Sequence, residues 1–238
     1  MGLLARLEEY YPKLPFTDQK RPGLRYCFEN PNFSYGESIV LYSMISLLRP
    51  KRIVEIGSGY SSCVILDTNE LVFGHEIDCT FIEPYPDLLL ALLKPGDTER
   101  LRLIARRVQD VEFERFSELE SGDILFIDSS HVSKVGSDVN WILFEILPRL
   151  ADGVCVHFHD VGYPFEYPKE WIYEGSAWNE AYLLRAFLQY NDIFVVELHN
   201  SFFGQFHREE FGGSLPLGLK NPGTSLWLRK VALRTGAE

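Results

Sequence analysis

The segment 52–62 constrains the fold of this chain more than any other feature of its sequence. A short apolar run with β-branched residues leads into Glu55, and Gly57 and Gly59 follow before a stretch compatible with a helix. This order predicts a buried parallel strand, a tight turn and a helix N-terminus that faces a ligand, because glycine lets the backbone turn sharply and approach a ligand closely. The helix N-terminus adds unpaired N–H groups and the positive end of a dipole. Since Glu55 would repel a phosphate, we expect a nucleoside-type ligand with hydroxyl or ammonium donors.

Strand-like and helix-like segments alternate along the rest of the chain, which predicts βαβ units and an α/β fold with a mainly parallel sheet. The last two strands have no strong helix between them, which favours an antiparallel closing pair with an irregular insertion at 200–222. The predicted strands are Arg52–Ile56, 79–83, 101–104, 123–127, 153–158, 194–198 and 224–231. The predicted helices are 38–48, 61–69, 86–93, 113–119, 138–150 and 179–188.

The length and the prolines indicate how the chain is organised. Residues 1–36 contain four prolines that break any long helix, so they are expected to form an N-terminal arm over part of the core or the site. One domain is then expected at 37–238, because 238 residues suffice for one sizeable core.

The net charge indicates which partners are unfavourable, and the cysteines indicate which cellular compartment suits the protein. The formal net charge of −11 disfavours nucleic acid and anionic membranes as partners. The four cysteines form no C-x-x-C pair, so neither a zinc knuckle nor a disulfide scaffold is indicated. Met1 to Lys20 carries charges throughout and does not resemble a signal sequence. No apolar run approaches the roughly 20 residues that span a bilayer, and a cytoplasmic location is expected.

Polar residues follow the carboxyl ends of five consecutive predicted strands, which meet at the ligand-binding edge of an open parallel sheet. Glu83, at the end of the second strand, could accept hydrogen bonds from a ribose diol; a helix cap or a surface charge is the alternative. Gln109 and Asp110 could pair with an adenine amino group or belong to an ordinary polar loop. The fourth strand leads to Asp128 and His131, and the fifth to the segment 157–160.

The ends of the first strands could bind either a dinucleotide or S-adenosylmethionine (SAM). The dinucleotide fingerprint G-x-G-x-x-G requires glycine where this chain has Ser62, and Glu55 would repel a pyrophosphate. SAM has an ammonium group, a ribose diol and an adenine, and it has no phosphate. SAM is therefore the predicted cofactor, with an NAD(P)-dependent oxidoreductase as the alternative.

The segment Glu55 to Gly59, followed by Glu83, resembles the first motif and the second-strand acid of class I SAM-dependent methyltransferases. The longer pattern is similar to small methyltransferase domains linked to O-methylation of glycans or natural products, and it comprises 122–131, 136–140, 157–160 and 178–180. The resemblance covers about residues 33–230. It implies a Rossmann-like sandwich with helices on both faces of a seven-stranded sheet, in the order 3-2-1-4-5-7-6 with strand 7 antiparallel. The implied cofactor-binding residues are Glu55, Gly57, Ser58, Gly59, Ser61, Glu83, Gln109, Asp110 and Asp128.

Methyl transfer to a hydroxyl requires alignment of the reacting groups and removal of a proton. Histidine is the best base near neutral pH. His159 is the first candidate base, and His131, assisted by Asp128, is the second. His157 lies deeper on the same strand and is expected to be a hydrogen-bonded core residue. A non-catalytic SAM-binding module remains an alternative.

A divalent metal is a further option at the ends of the fourth and fifth strands. Catechol-type members of the class hold Mg²⁺ with acidic and amide residues there, and Asp128 and Asp160 occupy similar positions. His159 departs from that pattern, because Mg²⁺ prefers oxygen ligands, whereas a softer divalent ion would tolerate it. Without a metal, Asp128 would orient His131 or contact the cofactor, and Asp160 would cap the following loop.

The loop 163–178 is rich in tyrosine, phenylalanine and tryptophan. A loop of this length in a compact domain is typical of a lid or a binding surface. Its rings could stack on a small-molecule or glycan acceptor. Alternatively, they could cover the sheet edge or form a contact in a homo-oligomer.

Overall fold

Seven strands form one sheet in the order β3-β2-β1-β4-β5-β7-β6, as predicted. The structure is a computed structural model that describes residues 2–232. Strands β1 to β5 run parallel, and β7 is antiparallel to both β5 and β6. The strands are β1 (Arg52–Ile56), β2 (Asp78–Ile82), β3 (Arg102–Ile104), β4 (Ile124–Ile127), β5 (Cys155–Phe158), β6 (Phe194–His199) and β7 (Leu226–Lys230).

The register aligns the carboxyl ends of the central strands. Ile56 at the end of β1 pairs with Ile82 on one side and with Ile127 on the other, and Ile127 pairs with Phe158. The polar residues that follow these four positions therefore meet at one edge of the sheet, where an open parallel sheet binds its ligands.

Helices cover both faces of the sheet because its strands are apolar on both sides. Neighbouring residues of β1 show this, since Ile53 belongs to one buried cluster and Val54 to the other. The helices are α1 (Gly2–Glu8), α2 (Tyr35–Leu48), α3 (Tyr60–Phe73), α4 (Asp87–Leu92), α5 (Glu114–Ser117), α6 (Asp138–Trp141), α7 (Lys169–Tyr173), α8 (Glu180–Gln189), α9 (Asn200–Phe206) and α10 (Arg208–Ser214).

The N-terminal arm contributes apolar side chains to the core. Its apolar side chains, including Leu7, Phe16 and Phe28, are buried in the cluster that contains α2 and α3. Arg25 anchors the arm through hydrogen bonds to the buried carboxylates of Asp67 and Asp97. Helix α2 begins at Tyr35, within the segment predicted as the arm.

Three segments differ from the predicted elements. The insertion 200–222 contains α9, α10 and a 3-10 turn at Pro216–Lys220, because burial of Phe211 and Leu215 favours helical turns that the glycine-rich sequence did not reveal. The predicted helix 138–150 is α-helical only over α6 and continues as a π-helix and a 3-10 turn up to Arg149. The aromatic loop contains the short helix α7. No helix within residues 2–232 is both long and apolar enough to cross a bilayer.

Candidate active site

The turn after β1 has the geometry that its glycines predict. Gly57 has φ of 80°, a conformation that favours glycine, and its N–H donates to the Ile82 carbonyl at 2.9 Å. A Cβ atom at this position would lie 1.9 Å from the carbonyl oxygen of Asp128. The N–H of Gly59 donates to Ser62 Oγ at 3.0 Å, which caps the first turn of α3. Ser62, where a dinucleotide fingerprint has glycine, therefore has a structural role here.

Glu55 lies beneath this turn and has no exposed surface. Its carboxylate accepts hydrogen bonds from Ser61 Oγ at 2.6 Å and from Ser62 Oγ. Burial raises the pKa of Glu55 to about 8. Glu55 and Ser61 therefore hold the turn from below, and neither reaches the adjacent cavity.

A cavity of about 560 Å³ opens at the carboxyl ends of β1, β2 and β4. Its wall includes four predicted cofactor-binding residues, namely Gly57, Glu83, Gln109 and Asp128, together with residues of the loop 129–138. Two other surface cavities, one beside the arm and one at β6, contain none of the predicted site residues.

The side chains in this wall are held by backbone contacts. Glu83 accepts hydrogen bonds from the N–H groups of Ser58 at 3.3 Å and Tyr85 at 2.8 Å. Gln109 donates to the Gly136 carbonyl at 2.9 Å. Asp110 points elsewhere and forms an exposed ion pair with Arg107 at 2.8 Å, so the structure places it outside the wall.

Asp128 connects the cavity to a buried cluster of histidines and carboxylates. Its Oδ1 atom lies 3.3 Å from His131 Nε2 and 3.5 Å from His159 Nδ1. The Oδ2 atom of Asp160 lies 3.8 Å and 3.6 Å from the same two nitrogens. Two histidines from neighbouring strand ends thus face the same two carboxylates.

A glutamate holds the outer nitrogen of each histidine. His131 Nδ1 lies 2.8 Å from Glu180 Oε2 of α8, and His159 Nε2 lies 3.2 Å from Glu37 Oε1 of α2. Both imidazoles are about 5% exposed. Neither ring nitrogen of His159 makes a hydrogen bond of good geometry in the described chain.

Electrostatics in the cluster favour charged imidazoles and a charged Asp128. Burial opposes ionisation, but hydrogen bonds to Asp128 and Glu180 raise the pKa of His131 to about 10. Burial also opposes a charged His159, yet Glu37, Asp128 and Asp160 place its pKa well above the usual range. Burial would raise the pKa of Asp128, but the two imidazoles hold it below its ordinary value. At Asp160 burial prevails and its pKa is raised.

His157 lies deeper in the sheet than the cluster. Its ring stacks on Phe126 with centroids 3.9 Å apart and lies 4.9 Å from the Trp227 ring. Burial and the nearby His159 lower its pKa well below the usual range, so the ring stays neutral. The expected core position is observed, but neither ring nitrogen has a hydrogen-bond partner in the described chain.

Sequence reasoning missed Glu37 and Glu180 as members of the cluster. Glu37 stood at the predicted boundary of the arm, and Glu180 belonged to a motif without an assigned role. The available signal was an acidic residue in the first turn of each apolar helix, α2 and α8. Placing either one in the cluster requires the tertiary structure, because Glu180 lies 49 residues beyond His131.

The aromatic loop combines buried and exposed rings. Tyr167 is buried and lies beside Trp178, whose ring is 4.4 Å from the ring of His131. Tyr173, by contrast, is 85% exposed. The loop therefore forms one wall next to the histidines and also presents rings to the surface.

Comparisons with known proteins show what this chain is similar to. Residues 54–161 match the family described as a methyltransferase domain. An uncharacterized protein of Archaeoglobus fulgidus is 35% identical over 116 residues, which cover 48% of this chain and 50% of that protein. The matching segment thus spans about half the length of this relative.

Solved structures support the same fold. The SAM complex of the O-methyltransferase TomG from Streptomyces achromogenes, involved in tomaymycin synthesis, is 12% identical and aligns with a TM-score of 0.54 over 98% of this chain and 91% of its own. A putative O-methyltransferase from Klebsiella pneumoniae is 17% identical, with a TM-score of 0.52 over 98% and 91%. The Podospora anserina methyltransferase PaMTH1, bound to SAH, is 18% identical, with a TM-score of 0.51 over 82% and 78%.

The family match, the strand order and these structures agree. The chain has the Rossmann-like fold of class I methyltransferases, and residues 54–161 are similar to the methyltransferase domain family. The resemblance inferred from the motifs is therefore confirmed.

Proposed function

We propose that this protein is a SAM-dependent O-methyltransferase that acts on a hydroxyl of a small molecule or glycan. One observation carries the proposal. Asp128 belongs both to the wall of the cavity and to the histidine–carboxylate cluster, so a cofactor in the cavity and a base in the cluster would be neighbours. Similar folds with bound SAM or SAH support the choice of cofactor.

The cavity fits SAM better than a dinucleotide. Gly57 leaves the space that a Cβ would fill, and Glu83 offers a carboxylate to a ribose diol. The Ser58 N–H, which a pyrophosphate would need, already donates to Glu83. Arg107 and Lys134 also line the wall and favour a dinucleotide as the second candidate, although Arg107 is paired with Asp110.

When bound, SAM supplies an electrophilic methyl group on a sulfonium. The role of this chain is then to align an acceptor hydroxyl and to take its proton. His159 is the proposed base. Glu37, Asp128 and Asp160 stabilise its imidazolium, so the ring must first lose its proton before it can accept the proton of the acceptor hydroxyl. Such a base contributes about 10²–10⁴-fold to the rate.

The acceptor site is proposed to adjoin the aromatic loop. Trp178 packs against His131, and Tyr167 and Trp171 pack against Trp178, which makes an aromatic wall beside the cluster. Flat aromatic faces suit planar acceptors or sugar rings. The cytoplasmic location and a homo-oligomer contact through this loop stay predictions.

The test is release of SAH from SAM in the presence of hydroxylated small molecules and glycans. We expect His159→Ala to lower kcat by about 10²–10⁴-fold without weakening SAH binding. The matched control is His207→Ala, because His207 lies on the surface beside Glu210. Equal activity of His159→Ala and the unmutated protein would overturn the role of His159. SAM binding without turnover of any acceptor would favour the non-catalytic module.

A further inference from the structure

We propose that the outer edge of strand β6 is the contact surface of a homodimer, in which β6 pairs antiparallel with β6 of a second copy of this chain. The contact joins the two seven-stranded sheets into one continuous sheet. It lies on a different surface from the cavity at β1, β2 and β4, and it does not depend on the proposed function.

The two edges of the sheet differ in how they are protected from pairing. Strand β3, at one edge, has three residues, and the exposed Arg102 and Arg106 lie at its start and just beyond its end. Short length and positive charge both keep an edge strand from pairing with another chain. Strand β6, at the other edge, has six residues and contains no lysine or arginine. Its Val195 and Val196 are 47% and 52% exposed, so β6 lacks both protections.

The backbone of β6 directs hydrogen-bonding groups towards the open edge. The N–H of Val231, just after β7, donates to the Ile193 carbonyl at 2.7 Å. Because backbone groups alternate in direction along a strand, those of Phe194 and Val196 point away from β7. The register shift between β6 and β7 lies beyond Val196, so these two residues belong to the regular part of the strand.

A two-fold axis at Val195 makes use of these backbone groups. It places Phe194 of one copy opposite Val196 of the other, so that each Val196 N–H donates to the Phe194 carbonyl of the other copy. The Phe194 N–H already donates to Asn191 Oδ1 at 3.1 Å, and this pairing does not require it. The axis also places the two Val195 side chains directly opposite one another, with Cβ atoms about 4.5–5.5 Å apart.

An open apolar groove accompanies the exposed strand. A cavity of about 890 Å³ lies between α1, the end of α2 and β6, and its apolar lining is formed by Leu3, Leu47, Leu48 and the two valines. Association through β6 removes part of this apolar surface from water, which is favourable. The groove is therefore a second reason for a partner at this edge.

The charges at this surface suit a second copy of the chain. Glu197 and Arg229 are paired with one another at 2.8 Å, so they add no net charge beside β6. Arg6 of α1 lines the groove, and Glu9 follows three residues later on the same side of the helix axis. Both are exposed, and neither forms an ion pair within residues 2–232. Because a two-fold axis repeats both signs, each copy offers a cation and an anion to the other.

Cysteine substitutions in the full chain test the register. The background is Cys27→Ser, because Cys27 is half-buried and the other three cysteines are buried. Val195→Cys should yield a disulfide-linked dimer under mild oxidation, since its two sulfur atoms meet at the axis. Val196→Cys is the matched control, because each Val196 faces Phe194 and two Val196 positions are too far apart for a disulfide. Absent crosslinking of Val195→Cys, or equal crosslinking of the two variants, would overturn the proposal.

Sedimentation equilibrium tests the dimer itself. We expect the unmutated chain to be dimeric at micromolar concentration in about 0.15 M salt, which screens the net charge of −11 on each copy. Val195→Lys should raise the Kd of the dimer by about tenfold or more, because like charges then meet at the axis. Val135→Lys makes the same exchange at a fully exposed valine outside β6 and should leave the Kd unchanged. A monomeric unmutated chain, or a dimer that Val195→Lys does not weaken, would overturn the proposal.

Discussion

His131 Nδ1 and Glu180 Oε2 lie 2.8 Å apart although the two residues are separated by 49 positions in the chain. The contact joins the loop after β4 to the first turn of α8, and Glu180 is 1% exposed. It therefore couples the geometry of the candidate site to the packing of a helix. Removing only one partner of such a buried pair destabilises a protein, because the other partner is left buried without a counter-charge.

Removing the Glu180 carboxylate should destabilise the protein. Glu180→Ala leaves His131 and Ser129 without a buried partner, and we expect a loss of about 3–5 kcal/mol in the free energy of unfolding. Glu180→Gln keeps an acceptor for both and should lose less. Urea unfolding measures the difference, and a loss below about 1 kcal/mol in the alanine variant would contradict this account.

Arg25 should be a major stabilising residue of the arm. The side chain of Arg25 is 2% exposed, and its guanidinium contacts the buried Asp67 and Asp97. Arg25→Met leaves these buried carboxylates without their charged partner. We therefore expect the free energy of unfolding, measured with urea, to fall by about 3–5 kcal/mol. Arg115→Met removes a partly exposed pair with Glu118 and should cost less than about 1 kcal/mol. Equal losses in the two variants would refute the anchoring role.

Gly57→Ala should disturb both the fold and the cofactor site. The new Cβ would lie 1.9 Å from the Asp128 carbonyl oxygen, in addition to the strain of a positive φ. Gly74→Ala is the control, because Gly74 also has positive φ but has open space around it and should cost only about 1 kcal/mol. Thermal unfolding compares the two variants, and a Gly57→Ala protein as stable as Gly74→Ala would contradict the close approach.

Glu55 should make stability fall as pH rises. Its pKa is about 8 in the folded protein against an ordinary 4.5, so between these values the unfolded chain ionises while the folded chain keeps its proton. The destabilisation is therefore absent below about pH 4.5, grows with pH and is complete above about pH 8. Each pKa unit corresponds to about 1.4 kcal/mol.

Glu55→Gln isolates this effect, since all other groups titrate in both proteins. We expect the stability of the variant relative to the unmutated protein to improve by a few kcal/mol between pH 5 and pH 9 in urea unfolding. A difference that does not change with pH would show that Glu55 ionises normally in its buried position.

The topology was predictable from the sequence because each central strand is a short apolar run that ends in polar or glycine residues. The run before Gly57 has β-branched residues and a clear turn, and the predicted bounds of β1 are observed without change. Helices α9 and α10 were not predictable, because their glycines and aromatic residues show no period. Their positions depend on tertiary packing, since α9 packs against α10, and α10 packs against α1 and the turn Pro216–Lys220.

The site was predictable only in part for a related reason. Asp128, His131, His159 and Asp160 were expected at one edge of the sheet, because they follow the carboxyl ends of neighbouring parallel strands. Side-chain direction was not predictable, so Glu55 was expected to face the ligand although it lies under the turn. The partners Glu37 and Glu180 come from helices whose docking the sequence does not specify.

Calorimetric titration of the protein with SAM and SAH tests the central claim most directly. We predict that each binds at one site per chain, that Glu83→Ala weakens both, and that NADH fluorescence does not change on addition of the protein. No heat of binding from SAM or SAH at millimolar concentration, together with enhanced NADH fluorescence, would contradict the account and assign the cavity to a dinucleotide.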